Sequence, residues 1–63
     1  MNPIEIKALR SSLGLTQESF AVLVGVAQLT ISRWETAAAK PTRLAVQKLK
    51  QLKQQMELDV YEN

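Results

Sequence analysis

Few side chains in this 63-residue chain can do covalent chemistry. There is no cysteine and no histidine, which removes thiol nucleophiles, imidazole bases, disulfides and almost every zinc or iron site. The carboxylates are scattered, unpaired, and not beside any nucleophile, so no catalytic residue, metal ligand or cofactor is expected. What remains is recognition by hydrogen bonds, apolar contact and charge. Arg33 can give two hydrogen bonds to guanine, Gln28 can do the same for adenine, and Leu29 can pack on a thymine methyl. With Ser32, these residues fall on the outer face of one short helix, and their position there, more than their identity, makes them candidates for touching base edges. One Phe, one Trp and one Tyr supply too few rings for a platform that stacks single-stranded bases.

Charge points the same way without deciding it. Through Gln54 the chain carries all eight basic residues and three acids, Glu5, Glu18 and Glu35. The last nine residues hold Glu57, Asp59 and Glu62 and no base. A basic body suits a polyanionic partner, from which the acidic tail is held away; a solvated surface of no consequence accounts for the balance equally well. A hydrophobic content of 46% with 22% charged residues is ordinary for a folded globule. No apolar run is long enough to span a membrane, and no secretory signal is visible. The chain reads as a cytoplasmic protein of one small domain, residues 1–63, with no membrane partner.

Helical periodicity positions these residues. Asn2, Pro3 and Glu5 form an N-cap, a first-turn proline and the acid of a capping box. Ile6, Leu9 and Leu13 follow on one face, and Gly14 closes the helix with Leu15 folding back towards Leu9. Thr16 caps a second helix through Phe20, Ala21 and Val24, ended by Gly25. A third runs from about Ala27, a poor N-cap, to Thr36, with Ile31 and Trp34 inside. Pro41 interrupts, and Thr42 caps a fourth helix whose Ala45, Leu49, Leu52 and Met56 make a seam suited to helix 1 or to a second copy. That seam is more often core than dimer contact, and in so short a chain it can serve as both. From Met56 to Tyr61 apolar and polar residues alternate, leaving three readings for the tail: a continued helix, a frayed end, or a short strand paired across a dimer.

Helices 2 and 3, joined by a tight glycine turn, form the central constellation. Crossing helices need a small residue at their closest approach, here Ala21, and the turn needs one free to take positive φ, here Gly25. Phe20, Val24, Ile31 and Trp34 make the shared core, apart from an indole N–H on Trp34 that could reach a phosphate. Val22 points away from the Phe20 face and is expected to be exposed. Lys48, Lys50 and Lys53 surround helix 4 and read as solvated.

Residues Ile6 to Pro41, IKALRSSLGLTQESFAVLVGVAQLTISRWETAAAKP, resemble the lambda-type repressor and Cro (XRE-like) helix-turn-helix family. The resemblance rests on Leu9-Arg10, Leu13-Gly14-Leu15-Thr16-Gln17, Ala21, Gly25-Val26, Ile31-Ser32-Arg33-Trp34-Glu35 and Pro41, in register over more than half of the chain. It implies an all-α, lambda-repressor-like fold of four helices, with a fifth short element as a variant, and a helix-turn-helix over about 16–37. It implies that Gln28, Leu29, Ser32 and Arg33 meet base edges. Thr16, Gln17, Lys40 and Arg43 would hold phosphates, Gln17 also steadying the recognition side chains, and Arg10 and Glu35 would bridge helix 1 to the end of helix 3. Two departures stand out. Thr36-Ala37-Ala38-Ala39 replaces the glycine usual after the Trp-Glu pair, so helix 3 is expected to run a turn longer. One long helix and a tail replace two short helices, so the dimer interface is built differently, through Leu52, Met56, Leu58 and Val60, or is absent.

The function these observations imply is sequence-specific binding of double-stranded DNA by a homodimeric repressor at an inverted repeat. It would act near the nucleoid in a bacterial or phage-infected cell, on a small phage-type, toxin–antitoxin or anti-CRISPR operon. The alternative is an antitoxin-like interaction module whose helix 4 and acidic tail, residues 42–63, seize a partner protein, with DNA binding secondary.

Overall fold

The computed structural model describes the backbone of residues 1–62 and the side chains of residues 1–58. Four helices follow in order: α1 (Pro3–Ser12), α2 (Gln17–Val24), α3 (Gln28–Glu35) and α4 (Arg43–Glu62). The architecture is all-α, with no strand and no fifth element among the described residues. No described helix is long and apolar enough to cross a membrane.

Each helix start except one has a side-chain cap. Asn2 accepts from the Glu5 amide at 2.8 Å while the Glu5 carboxylate accepts from the Asn2 amide at 3.2 Å, completing the capping box. Thr16 Oγ1 accepts from the Ser19 amide at 3.1 Å, and Thr42 Oγ1 from the Ala45 amide at 3.2 Å. Ala27, at the head of α3, caps nothing. Packing must therefore hold α3 in place, because an eight-residue helix without a cap is marginal on its own.

The core consists of Ile6, Leu9, Phe20, Ala21, Ile31, Trp34 and Leu49, all buried, with Leu13, Leu15, Val24, Val26, Ala45, Leu52 and Met56 partly buried around it. Helix α3 lies against α1 and α2, and α4 against α2. The α4 seam is thus committed to the chain's own core: Leu49 is fully buried and Leu52 and Met56 are half-buried. This reduces what Leu52 and Met56 can offer a second copy. Leu58 is exposed, and Val60 lies outside the described side chains.

One expectation is corrected. Helix 3 does not run a turn longer. It stops at Glu35, and Ala37 takes φ +65°, the left-handed conformation usually left to glycine. The Ala37 amide donates to the Trp34 carbonyl at 3.4 Å and the Ala38 amide to the Arg33 carbonyl at 2.8 Å. These are the two bonds of a Schellman closure, which satisfies carbonyls that an open helix end leaves bare. Ala37, Ala38 and Ala39 are all exposed, so continuing the helix would bury nothing. Of the three readings of the tail, the structure has the continued helix: α4 runs through Glu62. The recurrence of Leu49, Leu52 and Met56 carries the helical period up to the residue where alternation begins.

Candidate nucleic-acid interface

Helix α3 divides cleanly between two environments. Ile31 and Trp34 are buried, 0% and 4% exposed. Gln28, Leu29 and Arg33 are exposed and Ser32 is half-buried beside them. Leu29 keeps 59% of its surface in water, an apolar side chain amid polar neighbours. The helix thus presents a fork of guanidinium donors, an amide, a hydroxyl and an apolar patch on one outward face. Such a set matches the donors, acceptors and methyl groups of the major groove.

The turn that fixes α3 against α2 depends on Gly25 at φ +85°. Its amide and that of Val26 both donate to the Ala21 carbonyl, at 2.8 and 3.0 Å. Ala21 itself is 3% exposed, so the two helices meet where the side chain is a single methyl. A larger residue there would push α3 away from α2 and shift all four candidate base-contacting side chains together.

A second constraint comes from Glu35, the last residue of α3. Its carboxylate accepts from Arg10 Nε at 2.7 Å and Nη2 at 3.0 Å, and from Gln17 Nε2 at 3.2 Å. Arg10 also donates through Nη1 to the Leu15 carbonyl at 3.0 Å. One nearly buried carboxylate, 4% exposed, therefore ties together α1, the turn after it, the start of α2 and the end of α3. The hydrogen bonds from Arg10 hold the Glu35 carboxyl below its ordinary value, against a desolvation that pushes it up, and the Gln17 bond adds to the lowering. The Arg10 guanidinium is raised by the same pairing, against desolvation.

The Gln17 contact was not legible in the sequence. Its amide nitrogen has two hydrogens, and holding one on Glu35 leaves the other for a second acceptor. Beside it lie the unpaired backbone amides of that turn, a setting that attracts anions. Thr16 is exposed at the cap. Glu18, also exposed in the first turn, stabilises the helix through its dipole and opposes an anion at close range.

Lys40 and Arg43 are both exposed and flank Pro41 and Thr42 between α3 and α4. Because the Ala38 and Ala39 amides both donate to the Arg33 carbonyl, the loop carrying Lys40 is fastened to α3 itself. Lys40 stands at the wall of an open cleft of about 560 Å³ shared with Trp34, Pro41 and the start of α1. No group of three or more acidic side chains able to hold a metal ion occurs among the described residues.

Comparison with protein families finds a match over residues 6–52 to the family described as Helix-turn-helix. Comparisons with curated proteins and with solved structures find no match.

Proposed function

The chain belongs to the lambda-repressor-like helix-turn-helix family of DNA-binding transcription regulators, and on that premise we propose that it is a homodimeric repressor of a small operon. Two copies lay α3 into successive major grooves of an inverted repeat, with half-sites about 10 bp apart or a multiple of that, and obstruct transcription. Gln28, Leu29, Ser32 and Arg33 read base edges. Thr16, Gln17, Lys40 and Arg43 hold phosphates and set the register without reading sequence. The chain acts on DNA in the cytoplasm, and the operon is of phage, toxin–antitoxin or anti-CRISPR type.

One observation carries the reading: the exposed polar face of α3 is backed by a buried Ile31–Trp34 face and anchored at its end by Glu35. Reading bases requires side chains held in fixed positions, and this helix is fixed at both ends despite lacking a cap. The test is selection of binding sites from a random duplex pool at one near-physiological salt concentration. An enriched inverted repeat supports the proposal; a folded protein that enriches no motif sinks it.

A further inference from the structure

The face of α4 turned away from the core carries a leucine near each end. At about 100° per residue, Ala45, Leu49, Leu52 and Met56 share the inward face, all buried or half-buried. Leu44, Gln51 and Leu58, seven residues apart, line the opposite one. Leu44 is 78% and Leu58 55% exposed, and Gln51 is exposed between them. A single exposed leucine is ordinary; two on one line, equally spaced about one glutamine, form a pattern symmetric about its middle.

Charge along α4 supplies the second observation. Arg43, Lys48, Lys50 and Lys53 fill its first part without an acid, and the acids at positions 57, 59 and 62 fill its end without a base. A lone helix prefers the reverse, acids near its N-terminus and bases near its C-terminus. The arrangement therefore costs α4 stability in isolation, and an antiparallel neighbour of the same sequence removes that cost by placing base against acid at both ends.

We propose that this face of α4 pairs with the same face of a second copy, the helices antiparallel and Gln51 on the two-fold axis. Leu44 then lies over Leu58 of the partner subunit, and the basic first part of each α4 runs along the acidic end of the other. Parallel pairing would set bases on bases and acids on acids. The two-fold arrangement is self-complementary, as a closed homodimer requires. This inference rests on the homodimer reading above and gives it an interface.

Thiol cross-linking of the full chain tests the geometry, and the absence of native cysteine makes single introduced thiols unambiguous reporters. Under mild oxidation, a mixture of Leu44→Cys and Leu58→Cys gives a disulfide-linked dimer, whereas neither variant alone does. In sedimentation equilibrium, Leu58→Asp weakens self-association at least about tenfold while the far-UV helical signal is retained, and added salt weakens the wild-type dimer. Self-linking of Leu44→Cys or Leu58→Cys, in a protein that still sediments as a dimer, overturns the antiparallel register and leaves the homodimer standing. A wild-type chain that stays monomeric at the highest attainable concentration overturns both, and a single unrepeated motif from the duplex selection then shows that DNA binding survives without them. A dimer indifferent to Leu58→Asp places the interface elsewhere and overturns the proposal as well.

Discussion

Arg10 and Glu35, 25 residues apart in sequence, meet side on, with Nε 2.7 Å from one carboxylate oxygen and Nη2 3.0 Å from the other. A bidentate pair fixes direction as well as distance, so the end of α3 cannot rotate about its axis without breaking it. The contact lies behind the exposed face of α3, and its consequence is felt on that face.

Glu35→Ala leaves a guanidinium that is 16% exposed with no carboxylate, and also frees Gln17. Breaking one side of such a pair costs about 3 kcal/mol, at the low end for buried pairs because Arg10 keeps some solvent. In a domain this small, that is a large share of total stability. Thermal unfolding should show a drop in Tm of well over 10 °C, on the order of 4–8 °C per kcal/mol. The double change Arg10→Met with Glu35→Leu should lose less than Glu35→Ala alone, since no charge is then stranded. An unchanged Tm for Glu35→Ala would remove the bridge from the account.

The same carboxylate sets a pH dependence. Its pKa is lowered in the folded state from an ordinary 4.5, chiefly by the Arg10 hydrogen bonds. The unfolded chain therefore binds the proton more readily, and stability is lost as pH falls from 4.5 through the folded value. Above about pH 5 the contribution is fully present and flat. Melting curves of wild type and Glu35→Gln should differ most near neutrality and converge as the solution is acidified below 4.5. Curves that stay parallel would mean that Glu35 ionisation is not linked to folding.

Ala37 at φ +65° and Gly25 at φ +85° offer opposite tests of the same backbone cost. Left-handed backbone costs a residue bearing Cβ roughly 1–2 kcal/mol, partly offset by the smaller entropy such a residue loses on folding. Ala37→Gly should therefore raise Tm by roughly 4 °C. Gly25→Ala should lower it by a similar amount and no more, because a Cβ there meets nothing within 4 Å. A fall in Tm for Ala37→Gly would contradict the closure described at the end of α3.

The helix ends that the sequence marked with capping side chains or glycine were legible: Asn2, Gly14, Thr16, Gly25 and Thr42 each solve a local hydrogen-bonding or φ problem that depends on nearby residues alone. The end of α3 was not. Alanine propensity, worth tenths of a kcal/mol per residue, pointed to continuation. Three exposed alanines give a longer helix no face to bury, while stopping early satisfies carbonyls and lets the chain turn back to bring Leu49 into the core. The tail stayed open between readings for a related reason, since apolar residues at alternate positions fit a strand and the end of a helical seam alike. The outward face of α3 could be read because Ile31 and Trp34 fix its opposite side. The Gln17–Glu35 hydrogen bond could not, because it depends on how closely α2 and α3 cross, a distance that local sequence does not encode.

Arg33 and Arg43 separate base reading from phosphate holding. Both are exposed, but Arg33 stands on the outer face of α3 and Arg43 at the first residue of α4, beyond the loop. A guanidinium bidentate to guanine distinguishes bases, so Arg33→Ala should cost about 1–3 kcal/mol at the preferred site and relax the preference at one base pair. A guanidinium on a phosphate releases counterions whatever the sequence, so Arg43→Ala should weaken all duplexes alike and reduce the salt slope by about one. Titration of each variant against the selected site and a scrambled duplex, over a series of salt concentrations, separates the two. If Arg33→Ala weakens both duplexes equally, α3 is not reading bases through that side chain. If Arg43→Ala leaves the slope unchanged, the start of α4 is not on the phosphate backbone.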